Sequence, residues 1–119
     1  MKTIILDTNF IIHSIEFKID FLREIDRICH FQYQLAIIDK TIEEINKLKN
    51  PLALKLVKSL KSLKSTESTV DLEILKRANK ELIVATQDKE LRKALKEKNA
   101  QLITIRQKSH LTLENQNIY

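Results

Sequence analysis

At 119 residues, 43% of them hydrophobic, the chain has the size and apolar content of one domain with a packed core, and not of two. Twenty-one Lys and Arg against sixteen Asp and Glu give a net charge of +5, which suits a polyanionic partner and says nothing about fold. The complete absence of glycine excludes a Walker loop and a dinucleotide-binding fingerprint, the single cysteine excludes an internal disulfide, and no Cys/His spacing suits zinc.

The first apolar run, Ile4-Ile5-Leu6, reads as a buried strand and ends in Asp7. In a parallel sheet the carboxyl ends of the strands open onto the ligand crevice, so a charge placed there belongs to a site and not to the core. Asp7 also interrupts the run too early for a signal peptide, and no later run reaches the length of a bilayer span, so a cytoplasmic chain with no membrane association is expected. Phe10-Ile11-Ile12 is expected as a helical turn beneath the strand ends. Phe17, Phe21, Leu22, Ile25, Ile28 and Cys29 then recur at three- and four-residue spacings, predicting one amphipathic crossover helix whose aromatic face is also a candidate homodimer seam.

Residues 34–38 read as a second strand closing on Asp39, expected as a helix cap, and residues 41–48 as the helix that follows until Asn50-Pro51 stops it. A further helix is predicted over residues 51–64, with Ala53, Leu56, Val57, Leu60 and Leu63 on one arc and Lys55, Lys58 and Lys61 on the other. That lysine face is a candidate contact for a phosphate backbone. The polar stretch 62–69 reads as a surface loop, 70–80 as a helix, 82–86 as a strand, 88–98 as a helix and 101–105 as the last strand. The folded domain is expected over residues 1–106, with a polar tail over 107–119. Strand–helix alternation of this kind predicts an α/β class, a three-layer α/β/α fold with a central parallel sheet of four to five strands.

Helical geometry selects among the acids. With Ile42, Ile45 and Leu48 setting the inward face of the helix over 41–48, Glu43 falls in solvent and Glu44 at the border, where a capping box with Thr41 is the competing role. Asp71 shares the i, i+3, i+4, i+7 spacing of Ile74, Leu75 and Ala78, so it is predicted to point with the apolar residues, while Glu73 is predicted to face away. Asp88 follows its strand and opens its helix, where a plain N-cap is the competing role. Asp7, Glu44, Asp71 and Asp88 all fall where one rim of the sheet can gather them. Each close pair of such carboxylates costs on the order of 4 kcal/mol at about 4 Å and an effective dielectric near 20, against a total domain stability of roughly 5–15 kcal/mol. A hard divalent cation offsets that repulsion, and an all-oxygen, partly hydrated set suits Mg²⁺ or Mn²⁺.

Taken together, Leu6-Asp7-Thr8-Asn9, Thr41-Ile42-Glu43-Glu44-Ile45, Val70-Asp71-Leu72-Glu73-Ile74-Leu75 and Val84-Ala85-Thr86-Gln87-Asp88-Lys89-Glu90-Leu91 resemble, in that order, the motifs of PIN-domain ribonucleases. The resemblance spans the chain from its first strand to its last. It implies an α/β/α fold, hydrolysis of single-stranded RNA with Mg²⁺ or Mn²⁺, and Asp7, Glu44, Asp71 and Asp88 as the metal-holding acids. Thr86 resembles the hydroxyl residue beside the last acid of the family, and Asn9 the polar residue after the first. The sequence departs from the family at Asp71-Leu72, where paired Asp is frequent, and at Gln87, where Asn is usual. Ile103-Thr104-Ile105-Arg106-Gln107-Lys108 looks closer to archaeal PIN proteins of small-subunit ribosomal RNA processing than to VapC-type toxins. The alternatives are a toxin held by a small antitoxin and a non-catalytic RNA-binding module on the same fold.

Overall fold

The computed structural model describes residues 1–114. Six strands form one sheet: β1 (Lys2–Leu6), β2 (Tyr33–Ile38), β3 (Lys61–Leu63), β4 (Leu82–Ala85), β5 (Gln101–Arg106) and β6 (His110–Glu114), in the spatial order β3-β2-β1-β4-β5-β6. All neighbours run parallel except β5 and β6. Six helices complete the chain: α1 (Thr8–Glu16), α2 (Phe21–Ile28), α3 (Asp39–Lys47), α4 (Pro51–Lys58), α5 (Val70–Arg77) and α6 (Lys89–Glu97).

Period-two alternation along the strands explains the three layers, because each strand is apolar on both faces and must be covered on both. Ile4, Leu6, Ile83, Ala85, Ile103 and Ile105 face one core, closed by Phe10 and Ile11 of α1, Phe21 and Ile25 of α2, Ile45 of α3, and Ala53 and Val57 of α4. Ile5, Ile38, Leu82, Val84 and Leu102 face the other, closed by Val70 and Ile74 of α5 and Leu91 and Leu95 of α6. The expected α/β/α sandwich is therefore the observed architecture, with six strands in place of four to five.

Four expectations are corrected by local chemistry. The Phe10-Ile11-Ile12 turn extends into all of α1, because the Asp7 carboxylate takes the Thr8 amide at its start. Lys18, in the left-handed region at φ 57°, then separates α1 from α2, so Phe17 caps one helix and Phe21 opens the next. Phe21 packs edge-on against Phe10 inside the core with ring centroids 6.1 Å apart, while Leu22 of the same helix is 39% exposed.

The helix predicted over 51–64 stops at Lys58, where Ser59 Oγ donates to the Leu56 carbonyl at 2.6 Å. Lys61–Leu63 leaves the helix to pair with the open edge of β2, a short lysine-bearing strand of the kind that blunts sheet edges. Finally, part of the expected tail folds: Leu111 is fully buried and β6 pairs antiparallel with β5 from Arg106↔His110 to Leu102↔Glu114. The turn between them was hidden by its composition, since Gln107 and Lys108 both adopt positive φ of 53° where Gly or Asn is the usual signal. Residues 115–119 of the expected tail lie outside the described residues.

Candidate active site and metal centre

In this strand order the chain reverses direction across the sheet between β1 and β4, and the carboxyl ends of those two strands open the crevice in which α/β proteins place ligands. Asp7 leaves the end of β1 at that point. Its backbone N–H donates to the Ala85 carbonyl of β4 at 2.9 Å, so its position is fixed by the sheet itself. Only 4% of Asp7 is exposed. One carboxylate oxygen accepts from the Thr8 N–H at 2.9 Å and the other from the Thr86 hydroxyl at 2.8 Å. Burial, reinforced by Asp71 and Glu44 and opposed by the Thr86 and Thr8 hydrogen bonds, raises its pKa from 3.8 to about 6.

Thr86 is completely buried and ties the two strand ends together. Its hydroxyl donates to Asp7 and accepts from the Asp88 N–H at 3.2 Å. Asp88 does cap α6, accepting from the Glu90 and Leu91 amides at 2.9 and 3.1 Å through Oδ1 alone. The cap leaves its second oxygen without a protein donor among the described hydrogen bonds, so capping and a role in the cleft are compatible. Gln87 fastens the same loop to β5 by accepting from the Ile105 N–H at 2.8 Å.

Glu44 lies on the exposed side of α3 and does not form the capping box considered for it. The Thr8 hydroxyl donates to Glu44 Oε1. Thr8 Oγ1 also lies 3.2 Å from Thr41 Oγ1, so a chain of hydroxyls joins the start of α1 to α3. Asp71 is likewise not a cap, because Thr69 takes that place by accepting from the Leu72 N–H at 3.2 Å.

The inward arc of α5 is Val70, Glu73 and Ile74, one step from the predicted one. Asp71 consequently turns out of the core toward the cleft, where desolvation, then Asp88, then Glu44 raise its pKa. Glu73, expected in solvent, is 2% exposed. It accepts from the Thr66 and Glu67 amides and from Arg77, which together with the cost of burial leave its pKa at about 2. Asp39 opens α3 without capping it and accepts from the Ser65 N–H at 3.2 Å.

Asp7, Asn9, Glu44, Asp71 and Asp88 thus line one cleft of about 510 Å³. Lys47 lines it too, a residue the sequence reading passed over although it sits one turn beyond Glu44 on the same face of α3. Thr8 and Thr41 were also missed, and their only signal was a hydroxyl placed next to Asp7 and one turn before Glu44. Lys55 and Lys58 on α4 and Lys61 on β3 are exposed but do not line this cleft.

The donor set is entirely oxygen, and after burial the neighbouring carboxylates are what raise the pKa values of Asp7 and Asp71, a mutual repulsion that a cation would relieve. Among the described residues, no three His, Cys, Asp or Glu side chains are close enough to form a ready metal shell. An open ring of carboxylates fits an ion that keeps much of its water, as Mg²⁺ does when held by one or two carboxylates.

Residues 4–108 match the family described as PIN like domain. The chain is 34% identical to Ribonuclease VapC4 of Methanocaldococcus jannaschii over 127 aligned positions, which cover 95% of this chain and 97% of that protein. Its fold matches that of the PIN domain endonuclease Utp24 with a TM-score of 0.83 at 24% identity, covering 95% of this chain and 91% of the other. With the family matched across nearly all its length and four acids gathered at the β1/β4 crevice, the chain belongs to the PIN-domain ribonuclease family.

Proposed function

We propose that the protein is an endoribonuclease that hydrolyses phosphodiester bonds in single-stranded RNA with Mg²⁺ or Mn²⁺. The observation that supports this most is the cleft itself, in which four carboxylates from four separate elements surround a space of about 510 Å³ on a chain with a net charge of +5. Asp7 and Asp88, joined through Thr86, would hold the cation, and Glu44 and Asp71 would complete its surroundings directly or through water. When bound, a divalent cation would supply Lewis-acid chemistry here, lowering the pKa of a water and offsetting negative charge on the phosphate.

Thr86 keeps the Asp7 carboxylate in one orientation, and its hydrogen bond favours the ionised form that a cation needs. Asn9, exposed at the cleft mouth, orients water or the substrate phosphate. Lys47 meets a phosphate next to the scissile one, while Lys55, Lys58 and Lys61 add affinity without sequence choice at a distance from the chemistry. Purified protein is expected to cleave single-stranded RNA when Mn²⁺ is added, and Asp7→Asn is expected to abolish cleavage while still binding RNA. RNA binding without Mn²⁺-dependent cleavage would instead support the non-catalytic module.

A toxin role is favoured by one further feature. Leu22 and Leu52, 39% and 55% exposed, flank an apolar groove of about 360 Å³ beside Ile19, Phe21 and Leu56, which suits an amphipathic antitoxin segment. Growth arrest on expression, relieved by a neighbouring open reading frame, would assign that role. Accumulation of unprocessed ribosomal RNA in cells lacking the protein would assign rRNA processing.

A further inference from the structure

The loop between β3 and α5 is polar, yet its backbone is held from both sides. On the α3 side, Asp39 accepts from the Ser65 N–H at 3.2 Å and Lys40 Nζ donates to the Glu67 carbonyl at 2.6 Å. On the α5 side, Glu73 Oε1 accepts from the Thr66 and Glu67 amides at 2.7 and 3.1 Å. Arg77 pairs with the other Glu73 oxygen at 2.7 Å and donates to the Lys64 carbonyl at 2.9 Å, and Lys76 donates to the Thr66 hydroxyl.

The two helices that grip this loop are those that bear Glu44 and Asp71. An exposed loop needs no fully buried carboxylate to stay folded, and burying one without partners is costly. Here every hydrogen bond of Glu73, which lies two residues along α5 from Asp71, goes to the loop or to Arg77. Resting on the nuclease reading above, we propose that residues 64–67 form a strap that sets the spacing of Glu44 and Asp71 across the cleft, with Glu73 as its main positioning residue. None of these hydrogen bonds reaches Glu44 or Asp71 directly, so the strap acts on them through the placement of α3 and α5.

The test uses the full chain in a Cys29→Ala background, with nitroxide labels at Glu43→Cys and Leu72→Cys, both exposed and outside the cleft lining. Electron–electron distance measurements are expected to give one narrow distribution for the otherwise native protein and a broadened or shifted one for Glu73→Ala. Calorimetry of the unlabelled variant with Mn²⁺ alone is expected to show affinity weakened by more than about twofold, because the two acids no longer stand at one spacing. Asp39→Ala with Lys40→Ala, which frees the other end of the strap and leaves the Glu73–Arg77 pair intact, is expected to do the same, and it decides the matter if Glu73→Ala does not fold.

A merely stabilising role would lower Tm alone. An unchanged label distance together with Mn²⁺ affinity within twofold of native would overturn the proposal. Failure of the native chain to cleave RNA would count against the nuclease reading alone, because the label distances still report on the strap.

Discussion

Asp7 is the most constrained residue of the site. It is buried, hydrogen-bonded through both oxygens, and still raised to a pKa of about 6. A folded pKa above the unfolded one means that the folded state holds the proton more tightly. The contribution of this group is therefore fully present below the unfolded value of 3.8 and is lost as pH rises through about 6. The full shift corresponds to roughly 3 kcal/mol. Asp7→Asn, which removes the charge but fits the Thr8 amide and Thr86 hydroxyl less well, is expected to stabilise the protein by about 1–2 kcal/mol at neutral pH without divalent ions. Chemical denaturation at pH 4.5 and pH 7.5 checks this, since the gain should shrink at the lower pH.

Thr86→Val tests the bridge between the strand ends. It keeps shape and volume but leaves the Asp88 N–H without its acceptor and Asp7 without the bond that lowers its pKa. A stability loss of about 1–3 kcal/mol is expected, together with a further upward shift of the Asp7 titration measured by carboxyl NMR.

At the scale of elements, a chain without glycine that turns a helix end through the left-handed region must do so with a residue that carries a Cβ. Lys49 and Asn99, at φ 52° and 63°, do so after α3 and α6. Lys49→Gly is expected to raise stability by about 0.5–1 kcal/mol, seen as a higher Tm, because glycine meets no Cβ penalty there. The same composition explains what was legible in the sequence.

Strands ending in Asp7 and in Thr86-Gln87-Asp88, and the helices around Glu44 and Asp71, were readable because apolar periodicity locates elements and acids punctuate their ends. The β5–β6 turn was not readable, because Gln107 and Lys108 give no turn signal. Nor was β3, whose lysine-flanked sequence continues the helical pattern of α4 until the open edge of β2 claims it. The α5 arc was misjudged by one position because a carboxylate, Glu73, occupies a place that periodicity reserves for an apolar residue. Arg77 and the loop amides that neutralise it arrive only with the tertiary fold.

For the whole molecule, the strand order is what turns scattered acids into a site. With β1 beside β4, residues 79 positions apart meet through the Thr86–Asp7 hydrogen bond, and the helices after β2 and before β4 bring Glu44 and Asp71 to the same opening. The chain carries a net charge of +5 while the cleft is lined by four acids and one lysine, a contrast that suits a polyanion approaching a cation-filled cleft, as the proposed function requires. The central claim is that these acids act together as a divalent-ion site. Calorimetric titration of the purified chain with Mn²⁺ at neutral pH tests it most directly. Saturable binding to the native protein, weakened at least tenfold in both Asp7→Asn and Asp88→Asn, is the expected result; no binding, or equal binding in all three proteins, would contradict it.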